Sequence, residues 1–185
     1  MLRRSRTLTL VLAGPLSLFA YHPLHALASP GGATCDGFAA TKVVSSHSSH
    51  RVDGTSHRDV IVMKAAGHVV HARGGNDVIC GSSGHDTIFG GHGNDMIFGE
   101  DGNDDINGGA GNDNEQGNSG DDTLDGGSGD DVEDGGSGND ELNGDDGDDQ
   151  LDGGHGDDTE DGGSGNDDVS DSGNDDQGDD SGTDG

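Results

Sequence analysis

From Ala72 to Ser170 one aliphatic side chain returns every nine residues, at Ile79, Ile88, Ile97, Ile106, Leu124, Leu142, Leu151 and Val169. Each sits in a short triplet such as "TIF" or "TLD", which suits a very short strand with one side chain turned inward. The six residues before it are rich in glycine, as a turn needing positive φ and close backbone approach requires. Strand plus turn, repeated, predicts a coil of parallel strands in which each coil buries its apolar row only against the next. The expected fold class is therefore all-β, a solenoid of parallel strands.

The polar positions keep the same phase. With each unit written as nine positions, eleven units run from Ala72 to Ser170 without insertion or deletion. Position four is always Gly: Gly75, Gly84, Gly93, Gly102, Gly111, Gly120, Gly129, Gly138, Gly147, Gly156 and Gly165. Position six is always Asp: Asp77, Asp86, Asp95, Asp104, Asp113, Asp122, Asp131, Asp140, Asp149, Asp158 and Asp167. Position one is Gly81, Gly90, Gly99, Gly108, Gly117, Gly126, Gly135, Gly144, Gly153 and Gly162, with Ala72 as the exception. An acidic, glycine-rich disordered segment has no reason to hold such a register.

Composition explains why a register alone is not enough to fold the chain. Only 3% of the residues are aromatic, and the formal net charge is −30. The charge is segregated as well: 35 acidic residues and no Lys or Arg lie beyond Arg73. Low hydrophobicity with high net charge ordinarily leaves a chain disordered. The same sign of charge excludes nucleic acid as a partner.

The pattern G-G-x-G-x-D-x-U-x, seen in "GGHGNDMIF" (Gly90 to Phe98) and "GGSGNDELN" (Gly135 to Asn143), resembles the calcium-binding nonapeptide repeat of the RTX family. The resemblance implies a parallel β-roll with two repeats per turn and Ca²⁺ between the glycine-rich turns of successive coils. On that reading the position-six Asp residues supply carboxylates, and the glycines of positions one (Gly81 to Gly162) and four (Gly84 to Gly165) supply carbonyls. The ligand chemistry agrees, since Ca²⁺ takes six to eight oxygens from carboxylates and carbonyls. Zinc is improbable, because the Cys residues are single and the His residues lack paired ligand spacing. If unit n stacks on unit n+2, eleven turns give 11 − 2 = 9 stacked pairs, hence up to about nine shared ions. Without them the carboxylates repel; with them, binding energy becomes folding energy.

The remaining segments have their own expectations. Residues 1–28 read as a signal peptide: Arg3, Arg4 and Arg6 precede the apolar run "LTLVLAGPLSLFA", and Ala26-Leu27-Ala28 offers a cleavage site before Ser29. The mature chain is then secreted and has no membrane span. In an oxidising space Cys35 and Cys80 can pair, the alternative being two free thiols. The resemblance to secreted members with a paired Cys near the start favours the disulfide. Residues 29–71 keep the apolar rows (Ile61, Val70) while losing most turn glycines, which suits a cap without metal. Residues 171–185 lose the phase and read as a disordered acidic tail.

Glu115, Glu133 and Glu160 occupy the inward position eight, with Glu115 and Glu133 stacked on one sheet. An unpaired buried carboxylate is costly, so these side chains escape to solvent, share a proton, or loosen the coil. A locally frayed, thin core is favoured here over an added ion site. His85, His92 and His155 fall at turn positions and His47, His50 and His57 in a Ser-rich stretch, all expected to face solvent. No room exists for a catalytic domain, so the chain is not expected to be an enzyme. The expected function is a secreted calcium binder whose roll folds on the ion. An extracellular or cell-surface interaction module with structural calcium, binding an envelope partner, is one alternative, and an enzyme or toxin appendage the weaker one.

Overall fold

The computed structural model describes residues 33–44 and 50–170, and within them every regular element is a strand. The expected signal peptide, the acidic tail and His47 lie outside the described residues. In chain order the strands are β1 (Thr34–Cys35), β2 (Phe38–Ala39), β3 (Lys42–Val44), β4 (Arg51–Asp53), β5 (Val60–Met63) and β6 (Val69–Gly74). The repeats continue as β7 (Val78–Ser83), β8 (Thr87–His92), β9 (Met96–Asp101), β10 (Asp105–Ala110), β11 (Asn114–Ser119) and β12 (Thr123–Ser128). The stack ends with β13 (Val132–Ser137), β14 (Glu141–Asn143), β15 (Gln150–His155), β16 (Thr159–Asp161) and β17 (Asp168–Ser170).

Successive strands alternate between two parallel sheets. Even-numbered strands from β4 to β16 form one of seven strands, and odd-numbered strands from β3 to β17 form one of eight. Ile88 pairs with Ile106 and Ile106 with Leu124, so each coil advances by two repeats. This is the parallel β-roll expected of the repeat. The inward position-eight side chains from both sheets meet in a single core that includes Ile79, Ile88, Ile97, Ile106, Leu124, Leu142 and Leu151. Each fully buried aliphatic stabilises the roll by about 1.5–3 kcal/mol, a small return for ordering nine residues.

The strands are longer than a triplet. Most run six residues, through positions seven to nine and on into positions one to three of the next repeat. Position one stays buried inside the strand, and only positions four to six make the turn. Two places per repeat take left-handed backbone. Position four is glycine with φ of 117° to 157° in most repeats, and position two takes φ of 63° to 110° at Arg73, Gly91, Glu100, Gly109, Asn118, Gly127, Gly136, Asp145, Gly154 and Gly163. Ser82 alone among the position-two residues of the roll is not left-handed.

Upstream, β3 to β6 are rungs of the same two sheets, carrying Val44, Val52, Ile61, Met63 and Val70 into the core. The covering element is the β1–β2 hairpin, closed by Asp36-Gly37 with both residues at positive φ. It lies on the outside of the eight-stranded sheet over a second apolar cluster of Val60, Val62 and Val78. A disulfide between Cys35 and Cys80 pins it there, with Cα atoms 5.6 Å apart. Arg58 adds a cation–π contact, its guanidinium 4.6 Å from the centre of the Phe38 ring.

Candidate metal centres

The two turns of each coil place the position-six Asp residues in two columns, one along each long edge of the roll. Asp77, Asp95, Asp113, Asp131, Asp149 and Asp167 line one edge; Asp86, Asp104, Asp122, Asp140 and Asp158 line the other. In both columns Oδ1 accepts the backbone N–H of the residue eighteen positions earlier. Asp95 Oδ1 takes the N–H of Asp77 and Asp113 Oδ1 that of Asp95, both at 2.7 Å. Asp122 Oδ1 and Asp140 Oδ1 do the same for Asp104 and Asp122 on the opposite edge, at 2.7 and 2.8 Å. One carboxylate oxygen therefore stitches neighbouring coils together.

The other oxygen has no such role. Oδ2 of Asp77, Asp95, Asp104, Asp113, Asp122, Asp131, Asp140 and Asp149 is buried and makes no hydrogen bond. In every one of these repeats but that of Asp77 it faces the glycine at position one. A methyl built on Gly90 would lie 2.6 Å from Asp95 Oδ2 and 2.7 Å from the carbonyl oxygen of Gly108 in the next coil. Gly99 is bordered in the same way by Asp104 Oδ2 and Gly117 O, at 2.6 and 2.9 Å, and Gly135 by Asp140 Oδ2 and Gly153 O, both at 2.6 Å. A carboxylate oxygen and a carbonyl oxygen thus converge on a space that only glycine leaves open. Ala72 fills that place in the repeat of Asp77.

Such a pocket is hostile to a bare carboxylate. Burial pushes the Asp95 and Asp104 carboxyls up to about 7, with the donated N–H as a partial offset and the neighbouring carboxylates pushing the same way as burial. Burial likewise raises Asp113, Asp131 and Asp140 to about 6. A buried oxygen without a donor, in a site that favours the neutral acid, is what a carboxylate looks like where a cation belongs. The donor set is all oxygen, half carboxylate and half carbonyl, which fits Ca²⁺. Among the described residues no three His, Cys, Asp or Glu side chains gather into a metal-holding group, so the backbone must complete any site.

Asp86 departs from its column. Its Oδ1 accepts the N–H of His68, and its Oδ2 accepts both the N–H of Ser82 at 3.0 Å and the Ser82 hydroxyl at 2.7 Å. Both oxygens are therefore taken by donors of the protein, unlike those of the other aspartates in the column. Asp59, at the equivalent place in a degenerate repeat, is sealed likewise by the N–H and hydroxyl of Thr55 at 2.7 and 3.0 Å. A hydroxyl residue at position two closes the pocket, and each column has one such seal at its N-terminal end.

The inward glutamates also differ from expectation. Glu115 and Glu133 are 0% and 1% exposed, in register on β11 and β13, and the core around them is closed rather than frayed. Burial raises the Glu115 carboxyl well above its ordinary value, helped by Glu133, and raises Glu133 to about 8. Glu160, near the end of the stack, is only half-buried. The histidines are where the turns predict: His50, His57, His85, His92 and His155 are exposed.

Position five carries a feature that the nonapeptide motif leaves open. Its side-chain oxygens accept N–H groups from the following coil, opposite to the direction of the aspartate ladder: Asp121 Oδ1 from Asn139 at 3.0 Å, Asn139 Oδ1 from Asp157 at 3.0 Å and Asp148 Oδ1 from Asn166 at 3.0 Å. The signal was present, because position five is Asn or Asp in every unit except that of His85.

No individual curated protein matches the chain. The profile of the RTX calcium-binding nonapeptide repeat matches in four copies, over residues 69–88, 81–115, 116–133 and 134–169, together more than half of the 185 residues. With the two-repeat coil, the paired aspartate columns and the glycine pockets in place, the chain belongs to the RTX calcium-binding nonapeptide repeat family.

Proposed function

We propose that this chain is an exported calcium-binding protein whose roll is held together by ions seated between successive turns. The observation that carries the reading is the run of eight buried Oδ2 atoms without hydrogen bonds, spaced one coil apart on both edges. Bound calcium supplies two positive charges per site and takes carboxylate and carbonyl oxygens alike. Asp77, Asp95, Asp113, Asp131, Asp149 and Asp167 on one edge, and Asp104, Asp122, Asp140 and Asp158 on the other, present the carboxylates. Carbonyls of the position-one glycines, such as Gly108 and Gly153, border the same spaces. The sealed Asp86 drops out, which leaves about eight stacked pairs for ions.

Export is supported by the Cys35–Cys80 disulfide, which persists in oxidising compartments. The same reading makes the roll a binding scaffold rather than a catalytic one. Circular dichroism with and without Ca²⁺ tests it. The chain should be coil-like in EDTA and gain sheet as calcium rises into the ~10⁻⁴–10⁻³ M range of extracellular modules, with Mg²⁺ a poor substitute. A sheet-rich spectrum in excess EDTA at neutral pH overturns it.

A further inference from the structure

Among the buried groups, Glu115 and Glu133 are the ones that the repeat chemistry does not use. They stand where other repeats carry Ile or Leu, and their carboxylate oxygens reach the edge of the core beside the aspartate of their own repeat, where Ile97 Cδ1 lies in the pocket of Gly90. At Gly108 the nearest atoms to an added methyl are Glu115 Oε1 and Asp113 Oδ2, and at Gly126 they are Asp131 Oδ2 and Glu133 Oε1 at 2.7 and 2.8 Å. At Gly90, Gly99 and Gly135 the oxygen beside the aspartate is instead a glycine carbonyl from the next coil. The glutamate thus brings a second carboxylate to the same pocket.

The two side chains are wholly buried and under-satisfied. Neither Glu115 oxygen has a hydrogen-bond partner, and of the Glu133 oxygens only Oε1 has one, the N–H of Gly126 at 2.9 Å. Asp113 Oδ2 and Asp131 Oδ2 beside them are equally bare. We propose that Asp113 with Glu115, and Asp131 with Glu133, form two dicarboxylate cation sites in adjacent coils, distinct in charge from the single-carboxylate sites elsewhere. The inference rests on the calcium reading of the roll and deepens it. An additional carboxylate raises the attraction for a hard cation, and more steeply for a trivalent one. At equilibrium these two sites hold their ions more tightly than the rest of the roll.

The test uses the full chain, stripped in EDTA and titrated with Ca²⁺ by calorimetry and with Tb³⁺ by its luminescence. The wild-type chain should show two ions bound at least about tenfold more tightly than the rest, with the first two Tb³⁺ ions occupying them. Glu115→Leu with Glu133→Leu restores the aliphatic row of the neighbouring rungs, so it keeps the fold, and should abolish the tight class while calcium-saturated sheet content is unchanged. Glu115→Gln with Glu133→Gln keeps the shape but not the charge, and should weaken the class without restoring the apolar row. A wild-type isotherm that either double variant leaves unaltered sinks the dicarboxylate assignment and spares the calcium roll. A wild-type chain that takes up no calcium sinks both.

Discussion

Asp113 accepts the backbone N–H of Asp95 on Oδ1 at 2.7 Å and leaves Oδ2 buried with no hydrogen-bond partner. One side chain therefore does two jobs with two atoms. It splices adjacent coils, and on the proposed calcium reading it presents a ligand. The separation of these jobs by atom makes them separable by mutation.

Asp122→Asn, with its amide oxygen toward Asp104, keeps the acceptor of the ladder and replaces Oδ2 by a donor. The calcium-saturated variant should still show β-sheet, but bind fewer ions by equilibrium dialysis. Asp122→Ala removes both functions and should destabilise the loaded roll further, by about 1–3 kcal/mol for the unsatisfied N–H, read as a lower melting temperature. Equal effects of the two substitutions on melting temperature contradict the division of labour.

Ser82→Gly should open a site. It removes the hydroxyl at 2.7 Å from Asp86 Oδ2 and permits the left-handed backbone that other position-two residues adopt. The seal then opens, and the Asp86–Asp104 pair becomes available. Dialysis should show one more bound ion than the parent. An unchanged stoichiometry argues that the seal is not what keeps Asp86 out of the metal set.

Without calcium, stability should depend on pH in an unusual direction for a carboxylate-rich protein. The folded values of Asp95 and Asp104 are about 7, and that of Glu133 about 8, against about 4 in the unfolded chain. The folded state therefore binds more protons, and its stability falls as pH rises from about 4 to about 8. In EDTA, sheet content followed by circular dichroism should grow as pH is lowered from 7.5 to 5. Calcium must displace those protons, so calorimetry at pH 6 should show greater proton release per ion than at pH 8.5.

Reducing Cys35–Cys80, or replacing both by Ser, releases the hairpin from the outer face of the eight-stranded sheet. A closed loop of separation 45 contributes on the order of 4 kcal/mol through the unfolded state. The calcium-loaded protein should melt at a lower temperature, while its calcium stoichiometry stays the same, because the hairpin packs over Val60, Val62 and Val78 on the outer face of the sheet. A change in stoichiometry shows that the disulfide shapes the sites as well.

The coil and the inward row were legible because the nine-residue phase is unbroken from Ala72 to Ser170, and the two-repeat pitch followed from the resemblance to the RTX repeat. The extent of the strands was not. Glycine at position one reads as turn, yet Gly90 and Gly108 sit within extended, buried backbone because an aspartate oxygen and a neighbouring carbonyl occupy the room a side chain would need. The distinct surroundings of Asp86 were equally hidden, since its own position is invariant and the difference lies four residues upstream, at Ser82. The glutamates were read as a weakness because burial was weighed without neighbours; Glu115 and Glu133 place an oxygen beside the same glycines as Asp113 and Asp131. The Asn or Asp at position five was visible, but its ladder joins residues eighteen apart and shows only once the coils are stacked.

The unequal distribution of greasy side chains along the stack has a kinetic meaning. Val44, Val52, Ile61, Met63, Val70 and Ile79 crowd the first coils, beside the only covalent crosslink, while later coils carry a single aliphatic or a glutamate per repeat. The amino-terminal end can then set with the fewest ions and serve as a template, and every subsequent rung is laid down on a finished edge as cations arrive. Assembly should zip in one direction, and removal of calcium should peel the molecule from its carboxy-terminal end first.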